Sequence, residues 1–139
     1  MLFSLVALFA ATADVDGAAV YKRCAACHLP DRSGVPGAFP PLKADVKSLA
    51  AQGEGRRYLV LVVTKGVFGP IVVDGKTYRG MMPAQAGLSD AEVAAVLNYV
   101  TEGGNGKAFT AAEVAAIKTA DAALRPADVG ALNQKLRGK

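Results

Sequence analysis

Apolar residues with helical spacing are clearest in the segment "LSDAEVAAVLNYV", residues 88–100. They recur at i, i+3, i+4 and i+7, at Val93, Val96, Leu97 and Val100. This spacing lines one face of a helix and predicts that the face is buried. Ser89 precedes the run and Glu92 lies three residues later, which predicts a capping box at the helix start. Gly103 predicts the end of the helix.

Weaker signals predict helices near both ends of the chain. Residues 16–26 are expected to form a first helix with both cysteines in its last turn, and residues 43–51 a short second one. A second capping box, Thr110 to Glu113, predicts a helix that runs to about Leu124. Pro126 interrupts that helix and suits the first turn of a final basic helix.

The middle of the chain is less regular. The run "RRYLVLVVTKG" fits a buried strand or a buried helix, since its valines favour a strand and Gly66 behind Lys65 favours a helix C-terminus. The following "GPIVVDGKTY" predicts a hairpin around Asp74-Gly75. Residues 30–43 hold four prolines and two glycines, so no regular element is expected there. The pattern predicts a mostly helical chain with one small hairpin.

Composition limits the possible functions. The chain has 139 residues, which suits one domain, and 52% of them are hydrophobic, as in ordinary globular proteins. The formal charge of +4 comes from scattered basic residues. Nucleic-acid binders concentrate basic charge on one face, so no nucleic-acid partner is expected.

The first 13 residues, "MLFSLVALFAATA", form an apolar run that ends in a small-x-small pattern. This pattern is typical of a secretory cleavage site, so residues 1–13 are predicted to be a signal peptide and the mature chain to be exported to the periplasm. The run is too short to cross a bilayer, which takes about 20 apolar residues, and no stable membrane span is expected.

The stretch "CAACH", Cys24 to His28, contains both cysteines and the only histidine of the chain. A zinc site needs four ligands, and no second Cys or His pair exists to complete one. A thiol redox pair belongs at the start of a helix after a strand, and a disulfide across three residues would stabilise little. Cys-x-x-Cys-His is the signature of covalent c-type haem attachment, with the histidine as an iron ligand. We therefore interpret this stretch as a haem site.

The second axial position cannot be a histidine of the same chain, because His28 has no companion. The position is then open, or bound by a lysine or by a methionine thioether, and the candidate methionines Met81 and Met82 stand together in "YRGMMPAQAGLSD". Pro83 fixes its own φ angle and makes this segment extended. Adjacent side chains of an extended segment point to opposite faces, so only one of the two should face the iron. The spacing does not determine which of the two methionines faces the iron.

With these motifs in their order, the chain resembles the class I monohaem cytochromes c, particularly bacterial types that act alone or as cytochrome subunits of periplasmic dehydrogenases. The resemblance spans about residues 17–100. Four quoted segments carry it: "GAAVYKRCAACH", "GVPGAFPPL", "GPIVVDGKTYRGMMPA" and "LSDAEVAAVLNYV". It implies a class I cytochrome c fold, mostly α, with helices wrapped around one covalent haem and a small β-hairpin. The expected organisation is a cytochrome c domain at 14–104 and a C-terminal helical extension at 105–139, to which no role is assigned.

The resemblance also implies roles for individual residues. Cys24 and Cys27 would carry the thioether bonds, and His28 would be the proximal iron ligand. Met82, immediately before the proline, would be the distal ligand rather than Met81. A proline carbonyl would accept a hydrogen bond from the ligand histidine, with Pro36, Pro40 and Pro41 as candidates. Gly17, Tyr21 and Tyr99 resemble the contact at which the first and last core helices cross, although relatives commonly have three residues between that aromatic and the first cysteine, and Tyr21 has two.

The function implied is one-electron transfer through a His/Met-ligated haem, without catalysis of its own. The partner would be a redox protein such as a dehydrogenase, a reductase or an oxidase, docking near Lys22 and Arg23. The alternative is a haem enzyme or gas-binding sensor in which the sixth ligand is displaceable. A thiol oxidoreductase without haem is a third hypothesis.

Overall fold

A computed structural model describes residues 14–138; the predicted signal peptide, residues 1–13, lies outside them. Helices and short strands follow one another in this part of the chain in the order α1 Gly17–Tyr21, α2 Ala25–His28, α3 Ala44–Ala50, α4 Gly53–Lys65, β1 Val67–Phe68, β2 Ile71–Val73, β3 Lys76–Tyr78, β4 Met81–Met82, α5 Asp90–Val100, α6 Ala111–Ala120 and α7 Pro126–Arg137. Helices make up most of the regular structure of the described residues, as predicted. Among their helices, none has the length and apolar character needed to cross a membrane.

The first predicted helix is divided in two. Asp16 caps α1 as expected, its carboxylate accepting a hydrogen bond from the Ala18 amide at 3.0 Å. The helix then ends at Tyr21, because the next amides bond to carbonyls three residues back, as in the 2.8 Å bond from the Cys24 amide to the Tyr21 carbonyl. Cys24 is the N-cap residue of the separate helix α2. The expectation of a continuous helix 16–26 ending at the cysteines is therefore wrong.

The ambiguous apolar run forms the helix α4, and four consecutive residues of it, 58–61, are buried. Gly66 ends the helix with a φ of 78°, a conformation that glycine adopts without strain. Its amide bonds to the Val62 carbonyl at 3.0 Å, which satisfies one of the last free carbonyls of the helix. The C-terminal signal therefore outweighs the β-branched composition.

The predicted hairpin is confirmed as β2 and β3, which pair antiparallel with Ile71 opposite Tyr78. Asp74 and Gly75 both have positive φ, at 49° and 72°, as a primed hairpin turn requires. A second antiparallel pair, β1 with β4, was not predicted. It is only two residues long on each side, too short to leave an alternating pattern.

The helix α5 begins with the predicted capping box, in which Ser89 and Glu92 bond to each other's backbone amides. It packs across α1. A Cβ on Gly17 would lie 2.2 Å from the Ala95 carbonyl oxygen, so only glycine permits this approach. The Tyr21 and Tyr99 rings lie 5.2 Å apart at the same crossing. The crossing therefore forms as expected, despite the two-residue spacing before Cys24.

The C-terminal segment packs onto the core. Val114 of α6 and Val129 of α7 are fully buried, in the same hydrophobic cluster as α4 and α5. The helix α7 begins at Pro126 as predicted. The helix α6 ends at Ala120, earlier than the expected Leu124, because Asp121 leaves helical geometry and its carboxylate binds the Arg57 guanidinium at 2.7 Å.

Candidate functional site

An apolar cavity of about 290 Å³ lies between the Cys-x-x-Cys-His segment, the helices α3 and α4, and the short strands. Its walls are mainly aliphatic side chains from these elements, among them Val46, Leu49, Leu59, Val67, Ile71 and Val73. His28, Met81 and Met82 line it as well. Apolar walls with a few polar groups are typical of a site for a large organic ligand.

His28 is buried, with 7% of its surface exposed. Its Nδ1 lies 2.8 Å from the Pro40 carbonyl oxygen, which selects Pro40 among the three candidate prolines. A carbonyl can only accept, so Nδ1 carries the proton and Nε2 keeps its lone pair. Burial lowers the pKa of the imidazole below its ordinary value, and the Pro40 bond opposes that shift. The ring is thus neutral at pH 7, the form in which histidine ligates a metal.

The two cysteines lie on one helical turn, with the Cys27 amide 3.2 Å from the Cys24 carbonyl oxygen. No disulfide joins them in the described part of the chain. Cys27 is exposed and lines the cavity, whereas Cys24 is half-buried and packs against the core. Burial raises the pKa of the Cys24 thiol, an effect that the nearby Cys27 reinforces and Arg23 opposes. The thiolate is the attacking species in thiol–disulfide exchange, and a raised pKa leaves less of the Cys24 thiol in that form.

The two methionines differ in exposure because of their register in the sheet. In the antiparallel pair β1–β4, Met82 stands opposite Val67 and Met81 opposite Phe68. Residues directly opposite each other share a face of the sheet. Val67 is buried and Met82 packs against the core, whereas Phe68 and Met81 are 52% and 68% exposed. The alternation expected of an extended segment is therefore present, and Met82 lies on the buried face.

The C-terminal helix contributes polar groups that sequence reasoning missed. Asn133 of α7 is buried and lines the cavity; its side-chain oxygen accepts from the Val72 amide at 2.8 Å, and its nitrogen donates to the Tyr58 hydroxyl at 3.3 Å. Asp45 of α3 also lines the cavity and is paired with Arg137 of α7. The sequence gives no signal that a single asparagine or arginine in a basic helix lies at or beside a ligand cavity.

The residues present fit a covalently attached haem. The cavity has apolar walls and a thiol at its edge. It also holds a neutral imidazole with Nε2 free of the Pro40 bond, and a half-buried thioether. Imidazole and thioether together are the axial ligand set of electron-carrying haem proteins.

Comparisons with known proteins agree with this geometry. The cytochrome c family model matches residues 15–104. One cytochrome c-552 of Thermus thermophilus is 43% identical over 133 residues, covering 91% of this chain and 88% of that protein. Another cytochrome c-552 of the same species is 43% identical over 128 residues, covering 87% of this chain and 96% of that protein. The expected fold and the covalent haem are confirmed, and the chain belongs to the class I monohaem cytochromes c, which transfer electrons through c-type haem.

Proposed function

We propose that this cytochrome moves single electrons between redox proteins through one haem, tethered by Cys24 and Cys27 and ligated by His28 and Met82. The observation that carries the proposal is the register of β1 with β4. Both methionines line the cavity, but the register sets Met82 beside buried Val67, while Met81 is 68% exposed. With His28 and Met82 both ligating it, the haem iron would have no position left for a substrate. The chain is then a carrier rather than an enzyme.

Each residue has a distinct part in this function. The haem, when bound, supplies an iron that alternates between the ferric and ferrous states. Cys24 and Cys27 would tether the haem to one helical turn. The Pro40 carbonyl fixes the tautomer of His28, so that Nε2 is free to bind the iron. The Met82 thioether is a soft ligand that favours ferrous iron and raises the potential. The aliphatic walls exclude water, and the same ligands serve both oxidation states.

The partner is a redox protein: a dehydrogenase, a reductase or an oxidase. It docks at the edge of the haem site where the thioether bonds of Cys24 and Cys27 would lie. Cys27 is exposed there, and the exposed side chains of Lys22 and Arg23 precede it in the chain. Basic groups at this edge favour a partner with an acidic surface, since complementary charge speeds association. We place the protein in the periplasm, either as a free shuttle or as the electron-accepting subunit of an oxidoreductase.

Substitution of the two methionines tests the ligand assignment. In haem-loaded protein, Met82→Ala should abolish the ferric iron–sulfur absorption band, because the thioether is removed from the iron. Met81→Ala is the matched control, one residue away, and should keep the band. Survival of the band in Met82→Ala, or its loss in Met81→Ala, would move the ligand to Met81.

A further inference from the structure

The helix α7 supports a buried negative charge in the wall of the cavity. Asp45 lines the cavity with only 9% of its side chain exposed, and its Oδ2 accepts a hydrogen bond from Arg137 Nη2 at 2.6 Å. Arg137 is held by a second bond, from Nε to the Val72 carbonyl oxygen at 3.1 Å. These two bonds therefore hold the Arg137 guanidinium in place against the Asp45 carboxylate.

No other described residue places a comparably buried formal charge at this cavity. Arg79 also lines it, but Arg79 is exposed, and water screens exposed charges strongly. His28 is neutral at pH 7 for the reasons given above. The neighbours of Asp45 in the wall, Tyr58 and Asn133, are uncharged and bond to each other. The electrostatic field of the wall therefore depends mainly on how completely Arg137 balances Asp45.

We propose that the Asp45–Arg137 pair sets the reduction potential of the haem, with α7 supplying the cation that cancels a carboxylate in the haem wall. Oxidised haem iron carries one more positive charge than reduced iron, so an unbalanced carboxylate favours the oxidised state and an unbalanced guanidinium the reduced state. In a wall of low effective dielectric, either imbalance is felt across the cavity. The proposal rests on the proposed function, since the haem must occupy this cavity. It gives the C-terminal extension a part in electron transfer.

A purely structural ion pair would behave differently. Such a pair would attach α7 to α3, and its loss would lower the stability of the fold whichever partner was removed. Substitution of either partner could then shift the reduction potential in either direction. A potential-setting pair requires opposite signs for its two partners and cancellation when both are removed.

The test is equilibrium redox titration of haem-loaded protein at pH 8, where ordinary carboxyl groups are ionised. Asp45→Asn should favour reduction by about tenfold in the equilibrium constant, and Arg137→Gln should disfavour it by about tenfold, the order expected of one charge acting across a protein interior. The double variant should return close to the wild-type value. Asp90→Asn and Lys118→Gln break a more exposed ion pair with the same charge changes and should shift the equilibrium far less.

Shifts of the same sign in the two single variants, or shifts no larger than those of the control pair, would overturn the proposal. The ferric iron–sulfur band is recorded for every variant. Its absence from the wild-type protein would count against Met82 ligation, while the signs of the shifts would still decide the role of the Asp45–Arg137 pair.

Discussion

Gly17 lets the helix α1 lie directly against α5. A Cβ at this position would meet the Ala95 carbonyl oxygen at 2.2 Å and the Tyr99 Cβ at 3.0 Å. Neither neighbour is the flexible end of a side chain, so a larger residue must push the helices apart. This crossing carries the start of the chain towards the haem motif, because Tyr21 at the end of α1 donates a 2.7 Å bond to the Leu29 carbonyl just beyond His28.

We therefore expect Gly17→Ala to lower the free energy of unfolding by about 1–3 kcal/mol, the usual cost of overpacking. Gly53→Ala is a matched control, since Gly53 is also the first residue of its helix and has open space around it. This control should be neutral or stabilise by about 0.5 kcal/mol, because alanine favours helices over glycine. Denaturation in guanidinium chloride measures both. Equal effects of the two substitutions would contradict the close-packed crossing.

Residue roles differ in how far the sequence could predict them. The spacing of the Cys-x-x-Cys-His stretch was enough to propose the haem site, because the chemistry requires those residue types together. The choice of Pro40 was not predictable, because it depends on how residues 32–42 fold back. That loop is closed by a 2.9 Å bond from the Leu42 amide to the Arg32 carbonyl, and Arg32 has a positive φ of 64°. No local pattern encodes such a closure.

Among the elements, α4 connects the haem cavity to the C-terminal segment. Arg56 of this helix is 5% exposed and forms a two-pronged ion pair with Glu113 of α6, at 2.8 and 2.7 Å. Its guanidinium also donates to the Lys107 carbonyl at 2.8 Å and lies 3.9 Å from the centre of the Phe109 ring. One buried cation thus holds the start of the C-terminal segment against the helix that forms part of the cavity wall.

The ion pair between Arg56 and Glu113 predicts that the stability of the fold depends on pH. Hydrogen bonds from Arg56 hold the pKa of Glu113 below its ordinary value. A carboxylate with a lowered folded pKa stabilises the fold above its unfolded pKa of about 4.3, and that contribution is lost as the pH falls through the lower folded value. Glu113→Gln should therefore cost about 2 kcal/mol at pH 7, the scale of a charged hydrogen bond, and progressively less below about pH 4.

Glu102 supplies the control for this measurement. Its pKa is also lowered, by a hydrogen bond from Lys47, but it is an exposed group. Exposed ion pairs contribute little to stability, so Glu102→Gln should leave the unfolding free energy almost unchanged at both pH values. Unfolding curves at pH 7 and pH 3 give the comparison. A cost for Glu113→Gln that is the same at both would contradict a contribution from the ionised carboxylate.

Elements with strong local signals were predictable and those made by tertiary contact were not. The capping box of α5 and the Asp74-Gly75 turn formed as expected, since each is determined by adjacent residues. The two-residue pair β1–β4 depends on segments that meet only after folding. The early end of α6 depends on Arg57 binding Asp121 across 64 positions of the chain.

At the scale of the whole molecule, the C-terminal segment is part of the structure that surrounds the cavity. The family model ends at residue 104, yet Asn133 of α7 lines the cavity and Val129 of the same helix is fully buried. The relatives from Thermus thermophilus align over most of the chain. The sequence predicted that this segment is helical. It could not predict its packing, because the polar contacts of α7 are with residues 45, 58, 70 and 72, far away in the chain.

The central claim is that the protein fills both axial positions of the iron and therefore carries electrons rather than binding substrates or gases. The most direct measurement is the visible absorption spectrum of the purified protein, in the ferric state and in the ferrous state with and without carbon monoxide. We expect a six-coordinate low-spin haem with a ferric iron–sulfur band and a ferrous spectrum that carbon monoxide leaves unchanged. Rapid binding of carbon monoxide would contradict the claim and favour a sensor or haem enzyme, and a purified protein without haem would contradict every haem function.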